Sequence, residues 1–167
     1  MTPSLVELRP WRRDDAPALV DAWHTPDIVA GSRPPEERTL AAAERWIDGA
    51  ADREHRRIAI DRVIDAGGVC VGEVGASSID DRRGAALVGW WIAAEHRRRG
   101  HATTAVGLLA ELLFCDFDLR TLVAEIADDN VASRRAAATV GFRPLGPGSY
   151  VLRRPDVSGS SSVPADR

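Results

Sequence analysis

The stretch ALVGWWIAAEHRRRGHATTAVGLLAELLF, residues 86–114, decides the predicted fold of this chain. It opens with an apolar run over residues 86–93, which is too short for a typical helix and therefore predicts a buried strand. It closes with apolar residues at the three- and four-residue spacing of an amphipathic helix, namely Ala102, Ala105, Val106, Leu109, Leu112 and Leu113. We therefore expect a strand, a short charged loop and a helix at the centre of the fold.

The loop carries three consecutive arginines, Arg97, Arg98 and Arg99, followed by Gly100 at the expected helix entrance. Small residues there let a ligand approach the backbone, and the first N–H groups of a helix have no partners within the helix. The positive end of the helix dipole favours an anion at the same place. The loop therefore predicts a phosphate or pyrophosphate site, although short arginine runs are also typical of solvated loops.

Composition narrows the possible functions. The 167 residues suit one domain with a sizeable core, which we place at residues 1–156, with a flexible Ser/Gly-rich tail at 157–167. The net charge of −3 does not favour nucleic-acid binding, and the absence of lysine excludes Schiff-base chemistry and a P-loop lysine. Neither a signal peptide nor a membrane span is predicted, and the histidines lack metal-ligand spacing. We expect a cytoplasmic monomer or homodimer without a metal.

Hydrophobic periodicity and turn residues predict the order β-α-α-β-β-β-α-β-α-β-β. The strands are expected at 5–10, 56–65, 69–79, 86–93, 121–126, from 142, and at 150–153. Besides the central helix, helices are expected from an aspartate cap at 14–15 to about 24, from 36 or 39 to 51, and from 129 or 130 to 140. Residues 27–35 are expected to form a loop. The chain is thus predicted to be α/β, with a mixed sheet of six to seven strands flanked by about four helices.

Two motifs in this order resemble the GNAT superfamily of N-acetyltransferases. Arg97-x-x-Gly100-x-Ala102 is similar to the family's R/Q-x-x-G-x-G/A loop, and Asn130-x-x-Ser133 before a Gly-Phe pair is similar to its second signature. Leu-Arg-Pro at residues 8–10, the Asp pair at 14–15 and Gly-Trp-Trp-Ile at 89–92 look most like the ribosomal-protein N-acetyltransferase branch. The resemblance covers about residues 5–154 and implies the GNAT fold with acetyl-CoA as co-substrate.

The resemblance also implies where acetyl-CoA binds. Loop amides would hold its pyrophosphate, and strand N–H groups freed by a bulge would bind the pantetheine arm and the thioester oxygen where the fourth and fifth strands diverge. The expected binding residues are Trp91, Ile92, Ala94, Arg97, Arg98, Arg99, Gly100, His101, Ala102, Thr103, Asn130 and Ser133. Because Trp90 and Trp91 point to opposite faces of a strand, one is expected in the core and the other in the acceptor cleft, in either order.

The resemblance assigns roles in catalysis as well. Glu125 stands where some family members carry a base, and the alternative is an outward strand residue. Many members carry a tyrosine seven residues after the motif asparagine, but here that residue is Ala137, which leaves Ser133 as the expected hydroxyl near the CoA sulfur. A serine that only bonds the helix backbone is the alternative for Ser133, and a helix N-cap is compatible with the role of Asn130. Tyr150 is a further candidate proton donor, although a core strand tyrosine is favoured.

The expected function is acetyl transfer from acetyl-CoA to a primary amine by direct attack on the thioester. A protein N-terminal α-amine and a small-molecule amine both remain open as the acceptor. The missing tyrosine leaves an alternative from another class, a catalytically weak or inactive CoA-binding sensor that keeps the fold for interaction.

Overall fold

A computed structural model describes residues 5–156, so the tail predicted for 157–167 lies outside the described residues. The strands are β1 Val6–Arg9, β2 Ala59–Ala66, β3 Cys70–Asp80, β4 Ala85–Ile92, β5 Thr121–Glu125, β6 Arg143–Gly146 and β7 Ser149–Arg153. The α-helices are α1 Ala16–His24, α2 Pro26–Gly31, α3 Leu40–Asp48, α4 Ala50–His55, α5 His101–Cys115 and α6 Val131–Val140. Short 3₁₀ turns lie at Arg13–Asp15 and Ala94–His96.

The strands form one mixed sheet in the order β1-β2-β3-β4-β5-β7-β6. Among these strands only β4 and β5 run parallel, because the crossover helix α5 joins them, and the other neighbours are antiparallel. The predicted mixed α/β fold is confirmed. The four longer helices, α1, α3, α5 and α6, correspond to the four predicted from the sequence.

The differences from the predicted elements lie between residues 26 and 58. A six-residue helix, α2, occupies part of the predicted loop. It starts with Pro26 at its first position, where the N–H that proline lacks would have no partner within the helix. The predicted helix to residue 51 is instead two helices that meet at Gly49. Because α4 runs on to His55 and Arg57 is left-handed (φ 54°), β2 begins at Ala59 rather than at 56.

The helices cover the two faces of the sheet and give two apolar cores. The larger core packs α5, with Leu109 and Leu113, against Ile60, Ile64 and Leu122 of the sheet. The second core packs α1 and α3 against the opposite face, where the sheet contributes Val63 and Trp91. We call these the α5 face and the α1–α3 face. Side chains alternate between them along each strand.

β4 and β5 are paired over only four residues each. The register runs from Ala85 opposite Thr121 to Val88 opposite Ala124, whereas β4 stays paired with β3 up to Ile92. Beyond Val88 the two strands therefore part, and a gap opens at their carboxyl ends. This is the divergence that the family resemblance implies, and it positions the site described below.

A buried ionic network ties β1 to the rest of the domain. The guanidinium of Arg9 donates to both carboxylate oxygens of Asp15, at 2.7 and 2.9 Å, and to Asp65 at 2.6 Å. Burial opposes ionisation of Asp15, but hydrogen bonds from Arg9 and the Arg12 N–H outweigh it and lower its pKa. Asp15 therefore bonds to Arg9 and Arg12 and makes no side-chain cap to α1, contrary to the predicted aspartate cap.

We predict that Arg9→Met destabilises the fold by about 3–5 kcal/mol, because it leaves two carboxylates buried without their cation. The free energy of unfolding from urea denaturation is the measurement. Arg13→Met is the matched control, since Arg13 forms an exposed pair with Asp48 and its loss should leave stability unchanged. Equal effects of the two substitutions would contradict the structural role of the network.

Candidate active site

A cleft of about 1270 Å³ opens where β4 and β5 part, and elements from both faces of the sheet line it. The amino ends of α5 and α6 border one half, with Gly100 and Asn130 among the lining residues. The other half lies on the α1–α3 face and is lined by Trp23, Trp46 and Trp91. The cleft thus joins a half rich in helix amides to a half rich in aromatic side chains.

The amino end of α5 presents unpaired backbone donors to this cleft. Gly100 caps the helix in the left-handed region (φ 80°), which favours glycine. The first helical hydrogen bond runs from Thr104 N–H to the Gly100 carbonyl at 3.1 Å. The preceding N–H groups, those of His101, Ala102 and Thr103, therefore lack helical partners, and all three residues line the cleft. Such an arrangement is suited to bind an anion.

The three loop arginines differ in their contacts and in whether they line the cleft. Arg97 lines the cleft, but it donates through Nε to the Ile92 carbonyl at 2.9 Å and pairs with Asp27 of α2 at 2.7 Å, and this pairing lowers the Asp27 pKa. Arg98 lines the cleft as well. Arg99 is exposed, donates to the Glu95 carbonyl at 3.1 Å and does not line the cleft. Of the three, Arg98 is best placed to meet an anion, because it lines the cleft and makes no ion pair within residues 5–156. Binding by all three stays a prediction.

The strand register determines which backbone groups of β4 face the gap. Ala93 N–H donates to the Val71 carbonyl, so in this antiparallel register Trp91 also turns its N–H and carbonyl towards β3. The alternate residues, Trp90 and Ile92, turn theirs towards the gap left by β5. No register shift interrupts residues 87–92, so parting from β5 rather than a bulge frees these groups. Of the three expected donors, Ile92 faces the gap, Trp91 faces β3, and Ala94 lies in the Ala94–His96 turn and does not line the cleft. Trp90, which was not expected as a donor, also faces the gap. The roles of these residues in binding stay predictions.

The two neighbouring tryptophans separate as the sequence predicts, and the structure decides which goes where. Trp90 packs on the α5 face, and Trp91 packs on the α1–α3 face. Both line the cleft. The indole Nε1 of Trp90 is buried and has no hydrogen-bond partner within residues 5–156, and the same is true of Trp11 Nε1, which lies outside the cleft.

The second signature motif forms the amino end of α6. Asn130 is the N-cap, and its Oδ1 accepts the Ser133 N–H at 3.1 Å. Ser133 is partly exposed, lines the cleft, and its hydroxyl makes no hydrogen bond within residues 5–156. Ala137 is fully buried and supplies no hydroxyl. The serine is therefore available to a ligand while the asparagine holds the helix end.

The structure separates the two remaining catalytic candidates. Glu125 ends β5 as an exposed residue that lines the cleft opposite Ser149 of β7. Tyr150 pairs with Ala124 and packs against the core on the α5 face, and it does not line the cleft. Strand alternation turns Tyr150 to the side of the sheet away from Glu125, which favours the expected core position over the role of proton donor.

Glu73, which is not among the residues predicted from the sequence, lines the cleft from β3. Its Oε2 accepts the Trp91 indole N–H at 3.2 Å. Burial of its carboxyl group and the nearby charge of Asp61 raise its pKa to about 8, against the weaker effects of Trp91 and Arg53. The sequence feature that could have indicated Glu73 is an ionisable residue within residues 71–75, a stretch whose other residues are typical of a buried strand.

Three further features of the described chain bear on function: His101, possible metal ligands and the length of the helices. His101 is buried at the start of α5, and burial together with the positive charges of Arg99 and His96 lowers its pKa, so the imidazole is neutral at pH 7. Residues 5–156 contain no group of three or more His, Cys, Asp or Glu side chains arranged to hold a metal ion. In the same range, no helix has the length and apolar character needed to cross a bilayer.

The family model described as the acetyltransferase (GNAT) domain matches residues 6–143 of this chain. A sequence comparison with curated proteins finds no significant match.

Several solved structures share the fold. RimJ of Mycobacterium smegmatis, solved with CoA-disulfide, has a TM-score of 0.81 at 20% identity, and the match covers 94% of this chain and 86% of that one. Ribosomal-protein-S5-alanine acetyltransferase from Vibrio fischeri has a TM-score of 0.76 at 16% identity, over 90% and 94% of the two chains. The SpeG spermidine N-acetyltransferase from Vibrio cholerae, solved as a point mutant, has a TM-score of 0.72 at 15% identity, over 89% and 93%.

We predict that Glu73→Gln raises the melting temperature relative to the wild type, increasingly so from pH 4.5 to pH 8. In the unfolded chain the carboxyl group loses its proton near its ordinary pKa of 4.5, whereas in the folded protein it keeps the proton up to about pH 8. The contribution of Glu73 to the free energy of unfolding of the wild type is therefore fully present below pH 4.5 and is lost as the pH rises through 8. Thermal unfolding of both proteins across this range is the measurement, and a constant difference in melting temperature would contradict the raised pKa.

Proposed function

This chain belongs to the acetyltransferase (GNAT) domain family, and we propose that it transfers an acetyl group from acetyl-CoA to a primary amine. The observation that carries the proposal is the gap between β4 and β5, which places free strand groups beside the unpaired amides of α5. A long ligand with a pyrophosphate at one end and an amide-bearing arm at the other matches this arrangement.

The residues present fit acetyl-CoA as co-substrate. The N–H groups of His101, Ala102 and Thr103 would hold the pyrophosphate, with Arg98 beside them. The N–H groups of Trp90 and Ile92 face the gap, where they would bind the pantetheine arm and the thioester oxygen. A donor aimed at an oxygen that gains negative charge contributes about 2.7–4 kcal/mol to transition-state stabilisation in a well-formed site.

In the reaction the ammonium ion first gives up one proton to become the free amine, whose nitrogen then bonds to the acetyl carbon while the carbon–sulfur bond breaks. The nitrogen loses a second proton to give the amide, and the departing thiolate takes up one proton. Removing the first proton at pH 7 costs about 4.6 kcal/mol for an alkyl amine of pKa about 10.4, but about 1.4 kcal/mol for an α-amine near 8. Glu125 is the proposed acceptor of the proton, directly or through water. Its exposed position at the end of β5, on the cleft, supports this role.

Ser133 is the proposed hydrogen-bond donor to the departing sulfur. Its hydroxyl is free within the described chain, and it sits at the amino end of α6, whose dipole favours a thiolate. Because a thiol with a pKa near 8.5 leaves readily as its anion, a hydroxyl that stabilises the sulfur can replace a stronger acid.

The acceptor belongs to one of two chemical classes, and we keep both in the proposal. The comparison proteins include one named for a ribosomal-protein alanine and one named for spermidine. A protein N-terminal α-amine demands less of the base, whereas the aromatic half of the cleft also suits a small amine. We further propose that the protein acts in the cytoplasm as a monomer or homodimer.

A CoA-binding sensor is the second candidate function, and the buried Ala137 in place of the usual tyrosine is the observation in its favour. Thiol release from acetyl-CoA with a panel of amines, measured beside acetyl-CoA binding, separates the two. Turnover on any amine supports the enzyme, and binding without turnover on every amine supports the sensor.

We predict that Gly100→Val weakens acetyl-CoA binding about tenfold or more, because a β-branched residue disfavours the left-handed conformation that starts α5. Isothermal titration calorimetry gives the affinity. Gly67→Val is the matched control, since Gly67 has a similar φ of 68° in the β2–β3 turn, which does not line the cleft. Unchanged affinity in a folded Gly100 variant would refute the loop as the binding site.

We predict that Ser133→Ala lowers kcat by about 10- to 100-fold with little change in acetyl-CoA affinity, the low end of the range for general acids. Steady-state kinetics provide kcat. Tyr150→Phe serves as the control, since its side chain faces the core, and it should be nearly silent. If the tyrosine variant loses activity and the serine variant keeps it, the assignment of the sulfur-binding group is wrong.

A further inference from the structure

Glu73 differs from the neighbouring carboxylates on the same side of the sheet. Asp65 pairs with Arg9 at 2.6 Å, and Asp61 pairs with Arg53 at 3.1 Å. Glu73 has no arginine or histidine nitrogen within 4 Å among the described residues. Glu73 is partly buried, and without a cation its ionised form is less favourable there than in water. A positively charged ligand in the cleft would stabilise that ionised form.

The surroundings of Glu73 hold its carboxylate at the cleft. The Trp91 indole N–H donates to one of its oxygens at 3.2 Å, which fixes the side chain and leaves the other oxygen free. The paired residues Gly75 and Gly89 lie on the same face of the sheet, two residues after Glu73 on β3 and two residues before Trp91 on β4, and both line the cleft. Because neither residue has a side chain, these two positions leave the sheet surface beside Glu73 and Trp91 open to the cleft.

The neighbouring charges do not neutralise Glu73. On β2, Asp61 adds negative charge. On α4, the guanidinium of Arg53 is engaged by Asp61, by the Trp46 carbonyl at 2.9 Å and by the Trp46 ring at 4.3 Å. Across the cleft, β5 presents Glu125. This half of the cleft therefore combines carboxylates with tryptophan rings, which is the chemistry that binds an organic cation.

We propose that Glu73 binds the acceptor amine as its ammonium ion, with Trp91 holding the carboxylate in position. This inference rests on the proposed function, since it names the group that receives the acceptor before Glu125 takes the proton. It requires an acceptor whose amine enters protonated, which is the main form of any alkyl amine at neutral pH.

Binding is then coupled to a proton. Because burial holds the Glu73 pKa at about 8, its carboxyl group carries a proton at pH 7 and must release it to solvent when the ammonium ion arrives. As the pH is raised towards 8, the affinity for the ammonium ion should increase about tenfold per pH unit, and above pH 8 it should stay constant. Because an uncharged ligand cannot compensate the release of this proton, Glu73 would favour a charged amine over a neutral ligand.

The first experiment follows the indole N–H resonance of Trp91 by NMR, assigned with Trp91→Phe, in the full chain with free CoA, which carries no acetyl group. The resonance should titrate with a midpoint near pH 8. Saturating n-butylammonium should move the midpoint down by about one unit or more, and neutral n-butanol should not. A midpoint that butylammonium leaves in place would overturn the proposal.

The second experiment separates binding from chemistry by steady-state kinetics with n-butylamine or the best acceptor found. Glu73→Gln, which keeps an oxygen for the Trp91 indole, should raise KM for the amine about tenfold or more with kcat nearly unchanged. Glu125→Gln should instead lower kcat. Glu7→Gln, an exposed carboxylate on β1, is the matched control for the loss of one charge.

The outcomes distinguish the two proposals. If the wild type acetylates amines and the NMR midpoint does not move, the role of Glu73 fails alone. If the midpoint moves with butylammonium but no amine is acetylated, the proposed function fails and Glu73 remains an ammonium-binding residue. An unchanged KM for Glu73→Gln in an active enzyme would also overturn its role.

Discussion

The parting of two parallel strands is the constraint on which the rest of the site depends. β4 keeps its antiparallel partner to Ile92 but loses β5 after Val88, so the backbone groups of Trp90 and Ile92 reach the cleft without ladder partners. A backbone that must satisfy its hydrogen bonds can sustain such a gap only where water or a ligand replaces the lost strand. The same parting lets α5 and α6 direct their amino ends into one space, because both helices follow strands that end there.

Much of the fold is predictable because its signals are local. The apolar run and amphipathic stripe of residues 86–114 predict β4 and α5, and Gly100 marks the helix start that the structure shows. The errors lie where tertiary context decides the conformation. Pro26 is typical of a helix end, yet it begins α2, and Gly49 divides a helix that periodicity joins.

The site is less accessible to prediction, since it depends on register. Which of Trp90 and Trp91 frees its N–H follows from the hydrogen bond of Ala93 to Val71, and no local pattern encodes that bond. The position of Tyr150 behind the sheet is likewise a matter of alternation counted from a partner strand. Glu73 can be identified as a candidate binding residue only from the structure, because only the structure shows that the neighbouring carboxylates pair with arginines while Glu73 does not.

Arg97 joins two sides of the cleft. Its guanidinium donates to the carbonyl of Ile92 at the end of β4 and pairs with Asp27 of α2, and all three residues line the cleft. Its positive charge is therefore already matched by a carboxylate. The loop between β4 and α5 thus adds less net positive charge to the cleft than its three arginines suggest.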